Sequence, residues 1–378
     1  EQRDSVACYF VIYKRPVLCT KMTLFNKGIA SYASSRGACL SVVRPLLYSI
    51  TLPRGIDQQR QRRSFVSLPS LPTEVQSDLN AAVKLVRRYD PSGYLPGTML
   101  PNDRAKLGYF TARAFWVETG LRSTKLLGTS AVTPQERLQW WRSQILSLYD
   151  NNDIREHPTL RLLQYYNSHQ EKALSLSLMT NILDSRDIDF NVKQYSTVQD
   201  LIQHSQQSCG SLLKLVMESA DVYQNPPATE AADLMGVCHG ITNALRSSIP
   251  IASQTGKIII PADLCIKYGV RSPRFLLSAL GQGDEKCKEA LDYAVRDLST
   301  VAREHLTRAR CLREDIILKK GGQDAMAVLL PGVASETFLN RLEKAHYSLT
   351  NLDLRNQNFL EKSLCTTRMI SAWLLKRY

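Results

Sequence analysis

The sequence predicts an all-α protein, a single large helical bundle, on three observations. From Leu71 onward, apolar residues recur at steps of three and four, the period of one helix face. Strand-like alternation is rare: Ile258-Ile259-Ile260 is the only strongly β-branched run, and Gly256 and Pro261 bracket it closely. Turn-forming residues punctuate the body without opening a long low-complexity linker, which favours one domain over two.

In chain order, the first break in the body is Pro91-Ser92-Gly93, followed by Pro134 and His157-Pro158. Leu201, Cys209, Leu212 and Val216 then lie along one helix. After Pro226-Pro227 comes the clearest stripe: Ala231, Leu234, Cys238, Ile241 and Leu245 are spaced 3, 4, 3 and 4. Ile258-Ile259-Ile260 reads as an extended connector. Ser272-Pro273, Gly281-Gln282-Gly283, Gly321-Gly322 and Pro331-Gly332 separate the remaining helices. Leu339, Leu342, His346 and Leu349 repeat the stripe, with a histidine on it. No repeat of fixed period is present.

Of 378 residues, 44% are hydrophobic and 22% charged, a composition that excludes disordered, collagen-like and coiled-coil classes. The formal net charge of +13 is unevenly placed. Residues 1–73 hold 11 Lys/Arg against 3 Asp/Glu, leaving 37 against 32 for the rest. An Arg- and Ser-rich, acid-poor N-terminus is the pattern of a mitochondrial transit peptide. Residues 1–70 are therefore expected to be a largely disordered N-terminal extension, with Met22 as a start and Arg62-Arg63-Ser64-Phe65 as a processing site. Residues 71–378 are expected to form the helical domain. No apolar window approaches the ~20 residues that cross a bilayer.

Generic chemistry motifs are missing. There is no P-loop, GxSxG, HExxH or CxxC, so neither nucleotide binding, the common hydrolase elbow, nor a zinc site is signalled. Cys238 and His239 are neighbours on a helix and point about 100° apart, which argues for packing rather than a dyad. Asp184, Asp187 and Asp189 form an acidic cluster, but an EF-hand loop would need Gly and Glu where Asp189 and Tyr195 stand. A solvated helix end is the reading for that cluster. Trp140-Trp141-Arg142 and Trp373 with Lys376-Arg377-Tyr378 could touch RNA, as could Arg303, Arg308, Arg310 and Arg313. The interleaved Glu304, Glu314 and Asp315 favour an ordinary mixed-charge face instead.

Several segments, in order, resemble the squalene/phytoene synthase family. Tyr109-Phe-Thr-Ala-Arg-Ala-Phe115-Trp-Val-Glu118 resembles the helix that carries that family's first aspartate motif. Glu136-Arg-Leu-Gln-Trp-Trp141-Arg142 and His157-Pro158 follow in the family's order. Tyr195-Ser-Thr-Val-Gln-Asp-Leu201 through Cys209-Gly-Ser-Leu-Leu213 resembles the helix whose small residues border a central cavity. Gly240-Ile-Thr-Asn243-Ala-Leu245-Arg246 resembles Q-x-x-N-I-L-R, and Gly256-Lys257-Ile-Ile-Ile260-Pro261 resembles G-R-x-Y-L-P. Ser371-Ala-Trp373 also fits.

The resemblance implies an isoprenoid (terpenoid) synthase bundle with a central cavity. Chemistry in that family needs two DxxxD motifs, whose carboxylates share a helix face and hold Mg²⁺ against a diphosphate. Aligned on Phe115 and Asn243, those four positions hold Gly120, Thr124, Ser247 and Ile251. No Asp or Glu occurs between Thr119 and Pro134, or between Leu234 and Ala262. The expectation is a pseudoenzyme with no catalytic residues, no metal and no cofactor. Its cavity would be lined by Phe115, Glu118, Cys209, Gly210, Asn243, Arg246, Ser247 and Lys257, and any occupant would be an apolar lipid or isoprenoid.

Mitochondrial family members with this loss are similar to assembly factors of respiratory complex I. The resemblance therefore implies protein–protein binding within a large complex under assembly. It places the chain in the mitochondrial matrix or peripherally on the inner membrane. The competing expectation is a biogenesis factor or structural subunit of the mitochondrial ribosome; an active prenyl transferase is the third.

Overall fold

A computed structural model describes residues 71–378, apart from 122–132, 151, 153, 155, 280, 352, 353 and 355–358. The expectation for residues 1–70, and that for Thr124, lie outside the described residues. Those described fold around one main apolar core with a small satellite cluster at Leu330, Val333 and Met369, contain no β-strand and include no helix long and apolar enough to cross a membrane.

The first three helices are α1 (Thr73–Tyr89), α2 (Pro91–Met99) and α3 (Asp103–Gly120). Pro91-Ser92-Gly93 is thus a helix start rather than a gap: Asp90 caps α2 through Gly93 N–H, and Pro91 needs no donor at the first position. The run of residues from Leu107 to Thr119 is buried all round, which makes α3 a central helix. Next come α4 (Pro134–Tyr149), α5 (Pro158–His169) and α6 (Leu176–Asn191). Thr133 and Glu136 close a capping box at the start of α4.

Helix α7 (Val198–Ser205) runs into a π-turn (Gln206–Gly210) and on into α8 (Ser211–Ser219). The predicted stripe from Leu201 to Val216 is therefore one rod with an extra residue in one turn. Its neighbour is α9 (Pro226–Thr255), the longest helix. The five stripe residues of α9 are all buried. Close approach between the two rods requires glycine. A Cβ on Gly236 would lie 2.4 Å from Gly210 Cα, and one on Gly240 would lie 2.5 Å from Ser205 Cβ.

After α9, Gly256 adopts φ +67° and ends the helix. The isoleucine run is the expected extended connector, pinned by Ile258 N–H donating to Lys193 O. It leads to α10 (Ala262–Lys267), α11 (Ser272–Ala279) and α12 (Glu285–Cys311), whose buried face packs along α9. The chain closes with α13 (Arg313–Leu318), α14 (Gly322–Leu329), α15 (Pro331–Lys344) and α16 (Phe359–Leu374). One sequence expectation is corrected here. His346 is exposed, beyond the end of α15, in the left-handed region at φ +53°; the stripe it seemed to continue stops at Leu342.

Candidate functional site

Stretches far apart in the chain converge on one small cavity between α3, α6, α7 with its π-turn, and α9. Helix α3 contributes Trp116, and α6 contributes Arg186 and Asp189, one turn apart on its buried face. Tyr195 comes from the loop before α7, and His204 from α7 itself. The π-turn brings Ser208 and Cys209, α9 brings Gly240 and Asn243, and the connector brings Ile259. The cavity is ≈ 30 Å³. That is room for one or two waters, against the hundreds of Å³ typical of small-molecule sites. A lipid or isoprenoid chain would have to displace these side chains.

A buried charged cluster borders the cavity, whose lining is otherwise mostly apolar. Asp189 is 2% exposed and gathers three basic groups. Arg186 Nη1 lies 3.3 Å from Oδ2, His204 Nε2 lies 3.1 Å from Oδ1, and Lys257 Nζ lies 3.6 Å from Oδ1. Burial would raise the Asp189 carboxyl, but His204, Lys257 and Arg186 outweigh it and hold it well below the usual range. His204 Nε2 also faces Ser185 O at 3.1 Å, so this nitrogen carries the ring proton. Arg186 Nη2 donates to Trp116 O at 3.0 Å, and its guanidinium stacks over the Trp116 ring at 4.8 Å. Lys257 sits over the Tyr195 ring at 5.1 Å. Burial pushes the Cys209 thiol up to about 12, which leaves it a protonated packing group rather than a nucleophile.

One sequence reading is corrected by this arrangement. Asp184 and Asp187 do sit on the outside, Asp184 paired with Arg142 at 2.7 Å. Asp189, however, is the hub of a buried ion cluster, because the i, i+3 step turns it inward beside Arg186. Arg186, His204 and Lys257 gather around that one buried carboxylate. A buried face bearing Arg and Asp at i, i+3 was the available signal, masked by the two solvated aspartates around it.

Of the eight residues expected to line the cavity, Cys209 and Asn243 do so. Lys257 joins through Asp189. Gly210 instead abuts α9 at Gly236. Arg246 lies 5.1 Å from the Phe338 ring and 3.5 Å from Asn243 Oδ1. Phe115 and Glu118 face the other way. Phe115 meets Trp141 edge-on at 5.5 Å, and Glu118 Oε2 lies 3.2 Å from His157 Nε2. Helical geometry separates them from Trp116, the α3 residue that does reach the cavity. Burial raises Glu118 to about 8 and lowers His157 to about 4.

The three described positions aligned with metal-binding carboxylates do not fit Mg²⁺. Gly120 ends α3, and Arg186 Cζ stands 3.1 Å from where its Cβ would be. Ser247 donates its hydroxyl to Asn243 O at 2.7 Å within α9. Ile251 is buried apolar surface. A hard cation seeks oxygen anions, and here its neighbour would be a guanidinium.

The sequence model of the squalene/phytoene synthase family matches residues 86–360. Curated relatives include the bovine protein named NADH dehydrogenase (ubiquinone) complex I, assembly factor 6, 26% identical over 332 residues, 86% of this chain and 92% of that one. The human protein of the same name is 25% identical over 278 residues, 74% of this chain and 78% of that one. The Drosophila melanogaster homolog is 25% identical over 309 residues, covering 79% and 85%. Among solved structures, squalene synthase HpnC from Alicyclobacillus acidocaldarius superposes with a TM-score of 0.59 at 14% identity, covering 74% of this chain and 97% of that one. A dehydrosqualene synthase in complex with ligand gives 0.56 at 19% identity, covering 81% and 99%. These structures share the fold.

Proposed function

The chain belongs to the squalene/phytoene synthase family, and from that premise we propose that it is a catalytically inactive member acting as a mitochondrial assembly factor for respiratory complex I. It would work by binding proteins of the complex during assembly, in the matrix or peripherally on the inner membrane. The observation that carries the inactivity is the Arg186 guanidinium beside Gly120. Prenyl transfer must neutralise a departing diphosphate with metal ions, and a cation at a ligand position repels those metals. The names of the relatives support the client.

The ribosomal alternative loses its main support. Arg303 is engaged by Asn340 and Glu343, Arg310 by Glu336, and Arg313 by the Lys376 carbonyl. Three of the four clustered arginines therefore serve tertiary contacts instead of an open basic face.

The test is a tagged pull-down from mitochondria, divided into nuclease-treated and untreated halves and read by mass spectrometry. Complex I subunits or assembly partners, unchanged by nuclease, are the expected catch. Ribosomal proteins that vanish after nuclease would replace this reading with ribosome biogenesis. In parallel, the purified chain with farnesyl or geranylgeranyl diphosphate and Mg²⁺ should release no diphosphate and form no squalene- or phytoene-type product.

A further inference from the structure

The outward face of α16 is apolar and cationic at once. The inner face, through Cys365, Met369 and Ala372, packs on Leu330 and Val333. On the opposite side Leu364, Arg368, Ser371 and Leu375 follow at steps of four, three and four, one helical stripe. Leu375 keeps to it because its N–H still donates to Ser371 O at 3.0 Å. Leu364, Leu374 and Leu375 are 60%, 60% and 58% exposed. The segment after α16 is tied to α12 and α13: Tyr378 donates its hydroxyl to Ala309 O, and Arg313 donates to Lys376 O at 2.6 Å. Three leucines are thus held out in water by an anchored element.

Charge on this face has one sign. Residues 362–378 hold four Lys/Arg and no Asp or Glu, and Arg368, Lys376 and Arg377 are exposed. Glu361, in the first turn of α16, is taken by Arg341 at 3.2 Å. Glu336, whose carboxyl Arg368 helps hold below its usual range, is bound by Arg310 at 2.6 Å. Beside the face, α13 and the two residues after it carry Arg313, Lys319 and Lys320 against Glu314 and Asp315.

We propose that this face of α16 is the surface by which the protein lies on a membrane, its partner being a bilayer of anionic phospholipid. Leucine side chains that enter the boundary between headgroups and acyl chains leave water, while Arg and Lys stems lie alongside and keep their charges at the phosphates. A protein-docking centre gathers apolar and aromatic residues and depletes charge; here Arg368 stands in the same stripe between Leu364 and Leu375. The contact is interfacial, since α16 keeps its inner face on the protein. The choice of the inner membrane rests on the peripheral placement proposed above; the chemistry of the face does not.

The test is flotation of the full chain with phosphatidylcholine vesicles, with and without phosphatidylglycerol. The basic residues before α1 are the same in every variant, so differences between variants report α16. Leu374→Ser combined with Leu375→Ser should weaken partitioning roughly 25-fold, about fivefold for each leucine kept out of lipid. Arg368→Gln combined with Lys376→Gln should weaken it by a similar factor on anionic vesicles alone. Ile266→Ser removes an 81% exposed side chain from α10 and should change nothing. All these side chains are exposed, so Tm should match the parent throughout. Flotation of the double leucine variant equal to the parent's overturns the proposal, as does an equal loss in Ile266→Ser. Variants that float normally but lose partners in the mitochondrial pull-down overturn it too, and make the face a protein-docking surface. Flotation contains no complex I protein, so it can fail while the assembly role stands, and succeed while that role falls.

Discussion

The guanidinium of Arg186 occupies the space a side chain at Gly120 would enter, its Cζ and Nη2 each 3.1 Å from the position of the missing Cβ. The two residues come from α6 and the end of α3, 66 positions apart in the sequence numbering of a single chain. Their juxtaposition puts a cation beside the position that the proposed function reads as a lost metal-binding carboxylate.

Restoring the acid alone should therefore not restore a metal site. In Gly120→Asp the new carboxylate should pair with Arg186. Titration with Mg²⁺, followed by thermal unfolding, should leave Tm unchanged in both the variant and the parent. A Mg²⁺-dependent rise in the variant would mean that Arg186 swings aside.

Asp189 should be among the most sensitive positions in the chain. Asp189→Asn leaves Arg186, His204 and Lys257 buried without their shared anion, and breaking such a cluster costs about 3–5 kcal/mol. Urea unfolding would measure it. The folded carboxyl titrates below its unfolded value of 3.8. Its contribution is thus fully present above pH 3.8 and is lost only as pH falls toward the lower folded value. Substitution should accordingly cost most near neutrality and least in strong acid.

Glu118 and His157 predict a bounded pH range for maximal stability. Glu118 rises from 4.5 to about 8 in the fold, so its contribution is present below pH 4.5 and lost as pH climbs to 8. His157 falls from 6.5 to about 4, so its contribution is present above pH 6.5 and lost as pH drops to 4. Between pH 4.5 and 6.5 the two slopes oppose each other and cancel. From pH 6.5 to 8 only the Glu118 slope remains, about 2 kcal/mol over that interval. Urea midpoints across pH 5–8 should show this decline, and Glu118→Gln should flatten it.

Thiol labelling should follow burial. Cys311 is exposed, whereas Cys209, Cys238, Cys265 and Cys287 are buried. Burial pushes the Cys209 and Cys238 thiols up to about 12. Brief maleimide treatment and peptide mapping should find Cys311 modified first among these five. Cys209 and Cys238 should react only after unfolding.

The helical class was legible because helix periodicity and caps are local. The stripe from Ala231 to Leu245 and the Thr133/Glu136 capping box lie within single elements. His346 shows the limit of that reading, since its spacing continues a stripe whose helix has already ended. The absence of acids at Gly120, Ser247 and Ile251 was also readable directly, as a matter of residue type. What replaced those acids was not. Spacing places Arg186 and Asp189 one turn apart but does not say which face is buried. It leaves Phe115 and Glu118 as plausible for the cavity as Trp116.

Local periodicity thus determined that this chain is a helical bundle, and residue type alone that Gly120, Ser247 and Ile251 carry no acid. Only the tertiary structure decided that Arg186, His204 and Lys257 meet Asp189 beside a small cavity. The reason is physical: helix formation depends on neighbours within one turn, whereas a buried charge is tolerated only where distant segments bring its partners.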